Sequence, residues 1–140
     1  MTAIEGACFV DTNIWLYALV DGQGKAPQAK QALQQCQPVI STQVINEVCI
    51  NLIKKAAFDE AKIAEIIHSF YNKYEVIEID KSILLTASQL RAKHQFSFWD
   101  SGIVACALAS GSTILLSEDL HQGMLIEKQL KVINPFKLSS

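Results

Sequence analysis

Two hydrophobic rhythms alternate along this chain. Short runs rich in apolar residues at Ala7–Val10, Pro38–Ile40, Val76–Ile79 and Thr113–Leu116 predict four strands, with a weaker fifth at Lys131–Ile133. Between them, helical patterns occupy residues 12–20, 27–36, 42–55, 59–73, 81–94 and 99–110. Asp21-Gly22-Gln23-Gly24 reads as a flexible loop, and Pro27 sits in the first turn of the helix that follows. Ala109-Ser110-Gly111-Ser112 closes the last helix and turns into a strand. Strands alternating with helices imply parallel pairing, hence an α/β three-layer sandwich whose central sheet is mostly parallel, with right-handed crossovers.

That architecture says where chemistry belongs. In open parallel sheets the site lies beyond the carboxyl ends of the strands. Asp11 follows the first strand, Ser41-Thr42 the second and Ser117-Glu118-Asp119 the fourth. These three places are expected to converge on one edge.

Composition narrows the class. The 140 residues suit one domain, 1–140, that buries most of its unfolded surface. Half are hydrophobic and 19% are charged, which excludes a disordered tail. The net charge of −2 argues against strong nonspecific duplex binding, but not against a nucleic-acid enzyme whose acids lie under metal ions. Cys8, Cys36, Cys49 and Cys106 form no C-x-x-C pair, so zinc is not expected. Cys8, Cys49 and Cys106 sit inside apolar runs, and the plain reading is free core thiols in a reducing cytosol and a cytoplasmic protein. The chain shows no signal-peptide pattern and no apolar run near the roughly 20 residues needed to cross a bilayer.

Four acids stand out, each with an ordinary alternative. Asp11 separates the apolar run Cys8-Phe9-Val10 from the greasy helix beginning near Thr12, and it could serve only as a helix cap. Glu47 lies at the border of the apolar face formed by Val44, Ile45, Val48 and Leu52, where a lone Glu ordinarily keeps its head in water. Asp100 completes a Ser97-x-x-Asp100 capping box, yet the helix behind it is apolar nearly all round and so expected to be buried. Asp119 ends an acidic turn after the fourth strand. Two charges 5 Å apart repel by roughly 3 kcal/mol at an effective dielectric of about 20. Four carboxylates in one pocket therefore require protonation or a cation, and Mg²⁺ or Mn²⁺ suits an all-oxygen donor set.

At these residues the sequence resembles the PIN-domain ribonucleases, most of all the VapC-type toxins of toxin–antitoxin pairs. The matching pieces are FVDTNIWLYA (Phe9–Ala18), STQVINEV (Ser41–Val48), FWDSGIVACALASG (Phe98–Gly111) and ILLSEDLHQG (Ile114–Gly123). The resemblance implies a PIN-like fold with five parallel strands, and Asp11, Glu47, Asp100 and Asp119 as the catalytic and metal-ligating quartet. It assigns supporting roles to Thr12, Asn13 and Ser117. The implied activity is Mg²⁺- or Mn²⁺-dependent cleavage of single-stranded or loop RNA, leaving 3′-hydroxyl and 5′-phosphate ends. It further implies a homodimer silenced by a small antitoxin protein. Ser101 departs from the family, which more often has Ala there.

Other expectations follow the residues. Lys54, Arg91 and Lys93 are candidate RNA contacts, with Lys25, Lys30 and Lys55 behind them; the alternative for each is a solvated helix charge. Phe98 and Trp99 either stack on a base or, as the ordinary reading has it, pack into the core. The first helix is either a central core helix or a dimer face using Trp15 and Tyr17. A housekeeping RNA-processing nuclease and a catalytically silent RNA-binding scaffold are alternative functions. Aspartyl-phosphate enzymes fit less well, because Asn13 stands where dehalogenase-like phosphatases want a second acid.

Overall fold

Each strand of the first half is apolar enough to be covered on both faces, and that is how it is used. In the computed structural model, which describes residues 6–20 and 24–137, Cys8, Phe9 and Val10 of β1 (Ala7–Val10) are wholly buried. Continuous apolar strands of this kind belong to parallel sheets sandwiched between helices. The further strands are β2 (Gln37–Ser41), β3 (Glu75–Ile77), β4 (Ile114–Leu116), β5 (Leu125–Ile126) and β6 (Leu130–Ile133). The helices are α1 (Thr12–Leu19), α2 (Ala26–Gln34), α3 (Thr42–Ala56), α4 (Glu60–Lys73), α5 (Lys81–Lys93) and α6 (Phe98–Ala109).

The sheet order is β3-β2-β1-β4-β6-β5, and all neighbours run parallel except β5 and β6. The chain first builds outward from β1 through β2 to β3, then returns to place β4 on the other side of β1. The order thus reverses between β1 and β4, and a crevice opens beyond their carboxyl ends. Register brings Val10 beside Leu116. The next residues on these two strands are Asp11 and Ser117.

The sixth strand, β5, corrects the expectation of five. It is two residues long and joins β6 through Glu127 and Lys128, both with positive φ (52° and 56°), while the Gln129 N–H donates to the Ile126 carbonyl. Such a turn ordinarily advertises itself with Asn-Gly or Asp-Gly. Glu-Lys gives no such signal. Of the predicted loop at 21–24, residues 21–23 lie outside the described residues.

α6 is the buried helix its composition predicts. Ser101 and Ile103 through Ala107 are at most 3% exposed, and the helix packs on β1, β2 and α5. Ser101, the small departure, ties the two helices together: its hydroxyl receives the Arg91 guanidinium at 2.7 Å and donates to the Phe98 carbonyl at 2.6 Å. α1 is a core helix, which removes the dimer-face reading for Trp15. That indole is 2% exposed, donates to the Val10 carbonyl at 3.1 Å and meets Phe70 and Tyr74 edge-on.

Two expectations about side chains are overturned. Cys8 and Cys36 are joined in a disulfide, with Cα atoms 6.1 Å apart, so only Cys49 and Cys106 are free, and both are buried. The cause is register: Cys8 lies beside Pro38, two residues from Cys36, a proximity that a 28-residue separation conceals. Phe98 and Trp99 are not core residues. They are 65% and 63% exposed at the entrance of α6. Among the described residues no helix is long and apolar enough to cross a membrane.

Candidate active site

Asp11 is placed by the sheet itself. Its N–H donates to the Leu116 carbonyl at 2.9 Å, continuing the β1–β4 ladder by one step. On the neighbouring strand the Ser117 N–H donates to Ile133 at 3.0 Å. The two side chains then meet: the Ser117 hydroxyl donates to Asp11 Oδ2 at 3.0 Å, and the Thr12 N–H donates to Oδ1 at 2.7 Å. The second bond caps α1, but only with its adjacent amide. A cap therefore accounts for one oxygen and leaves the burial unexplained.

Burial dominates the electrostatics. Asp11 is 8% exposed, and loss of solvent pushes its pKa from 3.8 to about 6. The Thr12 amide and the Ser117 hydroxyl pull it down, while the charges of Asp119 and Asp100 push it up. Asp119 is raised as well, first by burial and then by Glu118 and Asp100.

Glu47 arrives from α3, one turn after β2. Its Oε2 accepts the Thr12 hydroxyl at 2.9 Å and its Oε1 accepts the Gln43 amide at 3.3 Å. Asn51, one turn further on, donates to the Glu47 carbonyl at 2.8 Å. Asp119 Oδ2 accepts the Asn13 amide at 3.2 Å, and the Asp119 N–H donates to Ser117 Oγ at 3.3 Å. In α6 the cap is Ser97, which accepts the Asp100 N–H at 3.0 Å. Among the described residues the Asp100 carboxylate takes no hydrogen bond, so half of the expected capping box is absent.

All four acids line one cleft of about 530 Å³, together with Thr12, Asn13, Gln43, Asn46, Asn51, Trp99 and Ile103. Sequence reasoning missed Gln43, although its spacing of four residues from Glu47 is a usable signal. Glu118, next to Asp119, is drawn elsewhere. Lys25 Nζ lies 2.5 Å from its Oε2, and the Tyr17 hydroxyl donates to its Oε1 at 2.9 Å. Lys25 in turn sits over the rings of Tyr17 and Phe136.

The donor set fits a hard divalent cation: oxygen only, with one buried carboxylate made costly by two neighbouring charges. Among the described residues, no three His, Cys, Asp or Glu side chains are already gathered around one point. The Asp100 carboxylate, which takes no hydrogen bond among the described residues, is free to turn toward Asp11.

The basic candidates fare differently. Arg91 is committed to Ser101 and lies 4.5 Å from the Phe98 ring centroid. Lys93 pairs with Glu127 at 3.1 Å. Neither lines the cleft, and Lys54 is exposed outside it. Lys55 is the cation that borders it, in an adjoining groove of about 240 Å³ shared with Asn13, Tyr17 and Asn51.

Comparison with known proteins places this geometry. No curated protein matches the chain. Its fold is similar to VapC20 of Mycobacterium tuberculosis, described as a sarcin–ricin loop cleaving toxin (18% identity, TM-score 0.68, covering 80% of this chain and 89% of that one). It is also similar to a chain of a toxin–antitoxin complex from Klebsiella pneumoniae (23%, 0.70, 94% and 99%). A third likeness is to VapBC2 of Rickettsia felis, bound to a DNA fragment from its promoter (16%, 0.64, 91% and 99%). The family model for the PIN domain matches residues 8–123, a span that contains all four acids and the strands that carry them, and the chain therefore belongs to the PIN domain family.

Proposed function

We propose that this chain is a divalent-metal-dependent endoribonuclease that hydrolyses phosphodiester bonds in single-stranded or loop RNA, as the toxin of a toxin–antitoxin pair. The observation that carries the reading is the placing of Asp11: buried at the strand switch point, and within reach of the Asp100 and Asp119 charges in a cleft shared with Glu47. The likeness to two solved structures, a sarcin–ricin loop cleaving toxin and a toxin–antitoxin complex, supports the activity and a small antitoxin as partner. A homodimer is proposed on the resemblance of the sequence motifs alone.

Asp11, Glu47, Asp100 and Asp119 would hold Mg²⁺ or Mn²⁺. When bound, the ion supplies Lewis acidity toward a phosphoryl oxygen and eases deprotonation of water. The chain's own residues set the geometry. Ser117 and the Thr12 amide fix the plane of the Asp11 carboxylate, and Asn13 steadies Asp119. Glu47, oriented by Thr12 and Gln43, is positioned to accept a proton from a water in the cleft. Lys55 offers a partner to a flanking phosphate.

The test is incubation of the purified chain with structured RNAs in Mg²⁺, Mn²⁺ or chelator, followed by mapping of the ends. Cleavage at unpaired positions, with 5′-phosphate ends and dependence on the metal, is expected. Asp11→Asn is expected to abolish it while the fold persists. Parent-rate cleavage by that variant ends the assignment. A short neighbouring reading frame with a DNA-binding segment and a disordered tail is the observation that favours the toxin role over RNA processing.

A further inference from the structure

Two aromatic rings stand in solvent at the mouth of the acidic cleft. Phe98 and Trp99 open α6, and about two thirds of each is exposed. Their rings meet edge to face, 5.9 Å between centroids and 83° between planes. Both forgo the burial that large aromatic side chains ordinarily take. Trp99 lines the cleft with Asp100, and Ile103 is the other apolar residue among walls that are otherwise polar, Gln43 and Asn46 included. Phe98 is braced by Arg91, whose guanidinium lies 4.5 Å from the ring centroid and is itself fixed by the Ser101 hydroxyl. The pair is thus a preorganised surface.

The charge pattern says what that surface is for. RNA is a polyanion, and this chain carries a net charge of −2 with acids lining the cleft. Three of the basic candidates are engaged, Lys25 with Glu118, Lys93 with Glu127, and Arg91 with Ser101 and Phe98, which leaves Lys55 in the groove that adjoins the cleft. Phosphate contacts alone leave little to hold the substrate. Stacking on an aromatic ring serves instead, because every base has a π-face. Bases inside a duplex already stack on both sides, so such a surface takes unpaired ones.

We propose that Trp99, with Phe98 beside it, is a stacking platform that seats an unpaired nucleobase of RNA next to the reacting phosphate. This contact then makes the site selective for single strands. The inference rests on the nuclease reading above and adds to it the residue that recognises the substrate.

The chain carries its own probe. It has two tryptophans; Trp15 is buried, so quenching by ligand reports Trp99. The full chain is titrated in chelator, where no cleavage is expected, with a short oligoadenylate and with a fully paired RNA hairpin. Quenching by the single strand is expected, with the duplex bound about 10-fold more weakly. In anisotropy of a 5′-labelled oligoadenylate, a readout independent of Trp99 emission, Trp99→Leu is expected to weaken single-strand binding at least about 5-fold, the low end for one base–aromatic stack, and Trp99→Tyr to restore most of it. Because few phosphates are contacted, affinity is expected to fall only shallowly with salt. Trp15 emission checks that both variants fold.

Unquenched emission, or equal affinity of Trp99→Leu and the parent, overturns the proposal and leaves the pair as a surface for a protein partner. A chain that cuts RNA yet shows neither effect keeps the nuclease reading and loses the platform. A chain that binds through Trp99 but cuts nothing with either metal does the reverse.

Discussion

The hydroxyl of Ser117 donates to Asp11 Oδ2 at 3.0 Å while accepting the N–H groups of Asp119 and Leu120 at 3.3 Å each. One buried oxygen thereby holds the central acid and shapes the turn that delivers the last one. Ser117→Ala removes the donor from Asp11 and strands two amides. Destabilisation by about 1–3 kcal/mol is expected. The activity loss is expected to be about 10-fold, in the range for groups that orient ligands rather than bind. Thermal melts and initial cleavage rates on the same preparation check both figures.

Asp11 makes the metal-free protein sensitive to pH in an unusual direction. Its folded pKa of about 6 exceeds the ordinary 3.8, so between those values the folded state holds a proton that the unfolded chain releases. Stability in chelator is therefore expected to fall as pH climbs from about 4 to about 6, and the full penalty persists above that. At 1.36 kcal/mol per unit the loss is about 2–3 kcal/mol. Asp11→Asn is expected to reduce the slope, leaving the smaller part due to Asp119, and to raise the melting temperature near neutrality. A parent chain that gains stability across this window contradicts the burial argument.

Gly102 sits where α6 approaches α3. A Cβ added there would lie 2.9 Å from Gln43 Oε1, the far end of a flexible side chain. Gly102→Ala gains up to about 1 kcal/mol of helix propensity, and a movable amide relieves the clash. The displaced amide is the one that donates to Glu47. The expected outcome is unchanged or higher stability with about 10-fold lower cleavage, a split that denaturation and kinetics together detect.

Lys128 adopts φ 56° in the turn between β5 and β6 and is exposed. Glycine carries no Cβ penalty in that region. Lys128→Gly is expected to stabilise the chain by about 0.5–1 kcal/mol, read as a shift in denaturation midpoint, without altering activity.

What was legible in the sequence is what local periodicity encodes. Six helices and five strands lie where apolar spacing put them, within one or two residues at most ends, because Gly111, Pro27, Ser41 and Ser97 punctuate them clearly. Parallel topology predicts that Asp11, Ser41-Thr42 and Ser117-Glu118-Asp119 meet at one edge, and the resemblance to PIN-domain ribonucleases adds Glu47 and Asp100 to them. The rest depends on where side chains end up after long-range packing. Nothing local distinguishes Trp15, deep against Phe70, from Trp99, standing in water. Nothing in a 28-residue gap pairs Cys8 with Cys36. Lys54 and Lys55 are neighbours in sequence, and only the phase of α3 decides which one borders the groove.

The parallel pairing of β1 with β4 carries a consequence for synthesis. Asp11 and Glu47 leave the ribosome well before residues 114–119, and without those residues β1 lacks its β4 neighbour and Asp11 lacks Ser117. A polypeptide interrupted upstream of Ile114 carries three of the four acids and lacks the strand that fixes the first of them. If this chain harms RNA, its translation is self-protecting: nascent copies stay inert until the last quarter has emerged and inserted beside the first strand.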